Sequence, residues 1–150
     1  MVSGMEPVSL SPPLLTLAVA ERLITAQDRA EPRITLSLDL GKSTVIVEPG
    51  AEEWKCPLGA FPYPFGLKDR TVYAWSGSAF EAVSRFDGGL YKLVPTDWGP
   101  PTFEIDGIKM LPTAKISPFE DAEDKVAMIR PRGKRVLDCC GGLGYFAHWC

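Results

Sequence analysis

Apolar and polar residues alternate through the middle of the chain. From Ile34 the apolar series Ile34, Leu36, Leu38 and Leu40 is interleaved with Thr35, Ser37 and Asp39, the period of two that sets one face of a strand against a core. A turn at Gly41-Lys42, compatible with a type II′ hairpin, then returns the chain so that Val45 and Val47 face Leu38 and Leu36. Two Asp-Gly pairs predict further hairpins. Asp87-Gly88 joins residues 80–86 to 89–94. Asp106-Gly107 pairs Ile105 with Ile108 and Phe103 with Met110 on a buried face, leaving Glu104 opposite Lys109 on the outer one. Residues 56–66, rich in proline and aromatics, are expected to form an ordered loop, because proline donates no ladder hydrogen bond. Residues 95–101 are a second loop.

Helical spacing flanks this β-rich region. After a loose leader over residues 1–10, Ser11 can cap a helix with Pro12 at its first position and Leu15, Val19 and Leu23 on one face. Later, Ser117, Pro118 and Glu120 form a capping box ahead of Phe119, Ala122, Val126 and Ile129. Pro131 ends that helix, 132–134 makes a turn, 135–138 reads as a short strand, and a further helix begins near Gly142 to Gly144. The domain division falls at 112/113: residues 1–112 form a β-rich domain and 113–150 begin a second one.

Composition narrows the function classes. The chain has 150 residues, 45% apolar and 23% charged, an ordinary globular balance. A net charge of −3 and no cluster of Lys and Arg leave no clear nucleic-acid patch. Residues 14–20 are too short to span a membrane and run into Glu21 and Arg22, so no membrane partner and a cytoplasmic location are expected. The four cysteines, at 56, 139, 140 and 150, include no C-x-x-C pair, and adjacent cysteines at a strand end point to opposite faces. Disulfides and a metal site with His148 are both disfavoured.

The sharpest chemical signal is Val136-Leu137-Asp138-Cys139-Cys140-Gly141-Gly142-Leu143-Gly144-Tyr145-Phe146-Ala147: an apolar strand ending in an acid, then a glycine turn opening a helix. Glycines there allow close backbone approach, and the helix start offers unpaired N–H groups. Residues 142–147 also satisfy G-x-G-x-x-A, the dinucleotide fingerprint, a weak match when it stands alone. Asp138 separates the readings. A carboxylate beside a pyrophosphate is repelled, whereas S-adenosylmethionine carries an ammonium and a sulfonium and no phosphate. The acid favours the cationic cofactor.

Several blocks in order carry a family resemblance: Ser37-Leu38-Asp39-Leu40-Gly41, Tyr91-Lys92-Leu93-Val94-Pro95, Pro101-Thr102 with Ile105, Gly107, Ile108 and Met110, then Pro118, Asp121 and Lys125, and finally Val136-Leu137-Asp138 with Cys140 and Gly142-Leu143-Gly144-Tyr145. With these the chain resembles predicted S-adenosylmethionine-dependent methyltransferases best represented in archaea, a β-rich N-terminal domain ahead of a Rossmann-like one in a spermidine-synthase-like architecture. The resemblance implies an α+β fold: antiparallel hairpins followed by the first βα unit of an α/β Rossmann-like methyltransferase domain. It also implies a cofactor site at Asp138, Cys140, Gly141, Gly142 and Gly144. Cys140 stands where most methyltransferases have the first glycine of the loop. Departures fall at Cys139, Gly141 and Phe146, where the resemblance implies small hydroxyl residues, so hydrogen bonds from those side chains are not expected to carry over.

The resulting expectation is the N-terminal portion of a class I methyltransferase, truncated after its first glycine-rich motif and inactive alone, its methyl acceptor and catalytic base unassigned. Two alternatives are an aminopropyltransferase fragment and a non-enzymatic truncated or split-gene product that pairs with a chain supplying the rest of the sheet. Asp121 and Lys125 are expected to be an exposed i, i+4 pair, with the mouth of the cofactor or substrate site as the other reading. His148 reads as an ordinary helix residue, and the four tryptophans as packing residues.

Overall fold

The computed structural model describes residues 11–150; the leader expected over 1–10 lies outside the described residues. Leu14–Leu15 forms a short strand, β1, because its backbone is claimed from two sides. It pairs antiparallel with β6 (Tyr73–Trp75), and the Leu14 N–H donates to the Leu38 carbonyl at 2.8 Å. The helix expected from Ser11-Pro12 therefore begins later. Thr16 caps it, its Oγ1 accepting the Val19 N–H at 3.4 Å, and α1 runs Leu17–Asp28 with Ala20, Leu23 and Ala26 as its buried stripe.

The α1 stripe packs on a sheet of β2 (Ile34–Leu36), β3 (Val45–Pro49), β4 (Glu53–Cys56) and β5 (Gly59–Pro62), ordered β2-β3-β4-β5. The first hairpin forms with Leu36 opposite Val45 and Ile34 opposite Val47, two residues away from the expected register. A shift of two keeps the same face inward, and it turns 37–43 into a wide loop. The stretch 56–66 is not a loop throughout. Its first part pairs with β4, Trp54 opposite Phe61 and Glu53 opposite Pro62. Pro62 is tolerated because β5 is the last strand of its sheet, where an absent N–H breaks no ladder.

β6 also pairs with β7 (Phe80–Ala82), completing a sheet ordered β1-β6-β7. Trp75 and Phe80 from this sheet close over Trp54 and Phe61, with ring centroids 4.9 to 6.2 Å apart. Trp54 is wholly buried, and its indole N–H donates to the Pro62 carbonyl at 3.0 Å, so the largest core side chain hides no unpaired polar atom.

A third sheet, ordered β11-β10-β9-β8, comprises β8 (Ser84–Phe86), β9 (Leu90–Val94), β10 (Thr102–Ile105) and β11 (Ile108–Lys109). The expected continuous strand 80–86 is divided at Val83, whose N–H donates to the Val72 carbonyl while its own carbonyl accepts from Leu93. Both Asp-Gly hairpins form; in the second, Ile105 faces Ile108 and Glu104 faces Lys109. The burial of the second is the reverse of the expectation. Glu104 has a side chain only 5% exposed, paired with Arg70 and 4.0 Å from Lys92 Nζ, whereas Ile108 is 66% exposed. Two cations beneath the strand make the interior of this hairpin polar.

The C-terminal part is helical and irregular. Ser117 caps α2 (Pro118–Ile129), its Oγ accepting the Phe119 N–H at 3.2 Å; Ala122 and Val126 are buried, but Ile129 is exposed. Arg130, at φ +48°, ends the helix ahead of Pro131. Residues 135–138 form no strand, and Leu137 is 86% exposed. The chain resumes regular structure only at α3 (Tyr145–Trp149). The expected fold class is thus corrected: the described residues form three small antiparallel sheets and three helices, without a Rossmann-like βα unit. A four-residue segment with an apolar centre becomes a strand only when a neighbour takes its N–H and C=O groups, and here no strand lies beside it.

Candidate functional site

A cleft of about 1430 Å³ is bounded by the start of α1, the 37–43 turn, the 95–101 loop, Phe119 of α2 and residues 143–148. Drug-sized pockets occupy roughly 300–1,000 Å³, so this space can take more than one small ligand.

Its floor is built by turn chemistry. The Asp39 carboxylate accepts from the Ser37 hydroxyl at 2.8 Å, the Ser43 N–H at 2.9 Å and the Ser43 hydroxyl at 2.5 Å, while the Gly41 N–H donates to the Ser37 Oγ at 2.7 Å. Partial burial pulls the Asp39 pKa up, but hydrogen bonds from Ser43, Ser37 and the Lys42 N–H outweigh it and hold the carboxyl below its ordinary value. The 95–101 loop rests on this turn. Gly99 lies at φ +97°, and a Cβ there would be 3.0 Å from the Leu40 carbonyl, so a side chain would strain the backbone and press the two loops apart. Within the loop, Thr96 Oγ1 donates to the Pro100 carbonyl at 2.8 Å and accepts the Trp98 N–H at 3.2 Å.

The opposite wall is the start of α3. The Tyr145 hydroxyl donates to the Pro101 carbonyl at 2.7 Å, and burial pushes its pKa up to about 12. Phe119 packs against Tyr145, His148 and Trp149, and the Trp149 indole donates to the Phe119 carbonyl at 3.0 Å. This aromatic cluster fixes α3 on α2.

Among the five cofactor candidates, the structure brings Gly144 to the cleft. Asp138, Cys140, Gly141 and Gly142 form a tight bend beside it: Asp138 Oδ1 accepts the Cys140 N–H at 3.1 Å, and the Gly144 N–H donates to the Gly141 carbonyl at 2.7 Å. Gly142, at φ +53°, sits where an added Cβ would be 3.5 Å from the Phe103 ring, so the bend leans on β10. Asp138 is exposed, with its carboxylate turned to the bend. Asp121 and Lys125 form the expected i, i+4 pair at 2.6 Å, with Asp121 half-buried rather than fully exposed, and neither borders the cleft. The thiols of Cys139, Cys140 and Cys150 are exposed, and among the described residues no three potential metal ligands gather.

Reading the glycine motif alone misses Lys42, Asp69, Arg70, Asp97 and Trp98, all of which line the cleft. A signal for their neighbourhood exists. Separate blocks of the resemblance, Ser37 to Gly41, Leu93 with Pro95, Pro101, and Gly144-Tyr145, all contribute lining residues. No described helix is long and apolar enough to cross a membrane.

Over 143 aligned residues the chain is 32% identical to an uncharacterized protein of Methanocaldococcus jannaschii, an alignment covering 89% of this chain and 48% of that protein. The chain thus spans about half the length of the curated relative it matches. No protein-family model matches it, and no solved structure matches it.

Proposed function

We propose that this chain is part of an S-adenosylmethionine-dependent methyltransferase, in which the bend 138–144 holds the cofactor at the edge of the cleft and the cleft receives the methyl acceptor. The observation that carries this reading is the convergence of four separated sequence blocks, from Ser37 to Tyr145, on one recess. Asp138 favours the cofactor's identity. Its carboxylate faces a glycine bend, where a sulfonium or ammonium is attracted and a pyrophosphate repelled. The volume of about 1430 Å³ leaves room for cofactor and acceptor together. Within this reading Gly142 and Gly144 admit the ligand to the backbone, and Tyr145 ties the bend to the 95–101 loop.

The test is isothermal titration with S-adenosylmethionine of this chain and of the full M. jannaschii relative. The relative, twice as long, is expected to bind in the micromolar range, while this chain alone binds no tighter than millimolar. An absence of S-adenosylmethionine binding by the relative overturns the reading.

A further inference from the structure

We propose that the 95–101 side of the cleft is a subsite for an organic cation, an alkylammonium or a protonated ring nitrogen, held between the Trp98 indole and the Asp97 carboxylate. Trp98 is 45% exposed on the cleft wall, yet its indole N–H is already spent on the Thr113 carbonyl at 2.9 Å. The ring therefore offers a ligand its π surface and no donor. Asp97, the adjacent residue and also in the wall, has no hydrogen-bonding or ion-pair partner among the described residues. A π face beside a carboxylate that has no direct partner is a combination that attracts a cation.

The other charges around the cleft leave that pair available. Asp39 is saturated by its own turn, and Asp69 accepts the Arg70 N–H at 2.8 Å. Of the cations, Arg70 is paired with Glu104, while Lys109 shares the small recess beside Asp97 and donates to Thr113 Oγ1 at 2.8 Å, a neutral partner that leaves its charge in place. Lys42 sits on the facing turn and repels a cation from that side. The subsite is built in advance of any ligand. Thr96 bridges the loop internally, Gly99 seats it on Leu40, and Thr113 pins the indole, so little ordering remains on binding.

The inference does not depend on methyl transfer, because its probe contains neither cofactor nor acceptor. Tetramethylammonium chloride, titrated at constant ionic strength and followed by the Trp98 indole N–H resonance, is expected to give a saturable shift. Neopentyl alcohol, of similar shape and uncharged, gives a response at least about fivefold weaker. Asp97→Asn weakens the tetramethylammonium response about fivefold; read on the Thr113 amide, Trp98→Leu weakens it to the same extent, whereas Trp98→Phe, which keeps a π face, retains most of it. Equal responses to the alcohol and the cation, or unchanged binding in Asp97→Asn, overturn the proposal. Cation binding with no S-adenosylmethionine binding by the relative sinks the methyltransferase reading alone, and the opposite pair of results sinks the subsite alone.

Discussion

The Tyr145 hydroxyl donates to the Pro101 carbonyl at 2.7 Å across 44 residues of sequence, joining the C-terminal glycine bend to the loop that forms the far side of the cleft. Few other polar contacts make that connection: Trp149 is bonded to Phe119 inside the helical part, and Gly142 meets Phe103 through a ring edge. Tyr145→Phe keeps the ring on Phe119 and deletes the bond, at a net cost of about 1 kcal/mol. Hydrogen exchange read by mass spectrometry is expected to speed up in residues 138–150 and to stay unchanged in β2 to β5. Faster exchange throughout the chain, or none, contradicts a local tie.

Alkaline pH should open the same contact. Burial raises the Tyr145 pKa from its ordinary 10.0 to about 12, because the phenolate is penalised away from water. The folded value lies above the unfolded one, so the contribution is fully present below pH 10.0 and is lost as pH rises toward about 12. A phenolate also has no proton to give Pro101. Exchange at residues 138–150, corrected for the intrinsic pH dependence, is expected to rise across this window in the native chain and to lose that rise in Tyr145→Phe.

Glu104 sets a different test, of the polar interior of β10. Its side chain is 5% exposed, while its partner Arg70 is 58% exposed and Lys92 stands 4.0 Å away. Removing the arginine strands a buried carboxylate, whereas removing the carboxylate's charge strands only cations that reach water. Arg70→Met is therefore expected to destabilise by about 2 kcal/mol in urea unfolding, and Glu104→Gln by about 1 kcal/mol. Methionine carries the same strain as arginine at φ +53°, so backbone geometry does not confound the comparison. The double variant should recover part of the arginine cost; strict additivity would show that the pair is not coupled.

What could be read from sequence was what is local. The Ser117 cap and both Asp-Gly turns form where expected because their hydrogen bonds close within a few residues. Alternation through Phe103, Glu104 and Ile105 gives a strand and a register, but the buried side depends on Arg70 and Lys92, which arrive from elsewhere in the chain. Residues 135–138 have strand composition and no strand partner. The same limit applies at the cleft. Gly144 was visible as part of a motif, whereas Asp97 and Trp98 join it only because Gly99 sits on Leu40 and Tyr145 reaches Pro101.

The cleft floor should fail in acid before the core does. Asp39 holds Ser37, Ser43 and, through Ser37, the Gly41 N–H, and its carboxyl titrates below its ordinary 3.8 because those donors outweigh its partial burial. A lowered folded pKa means that the contribution is complete above pH 3.8 and is lost as pH falls through the folded value. The protonated carboxyl is a weaker acceptor, so Leu40, at φ +58°, loses the support for its left-handed backbone. Asp39→Ala is expected to cost about 1 kcal/mol at neutral pH and to raise exchange at residues 37–43 and 95–101 together, since Gly99 rests on the Leu40 carbonyl. Exchange confined to 37–43 would show that the loop carrying Asp97 and Trp98 keeps its place without the turn.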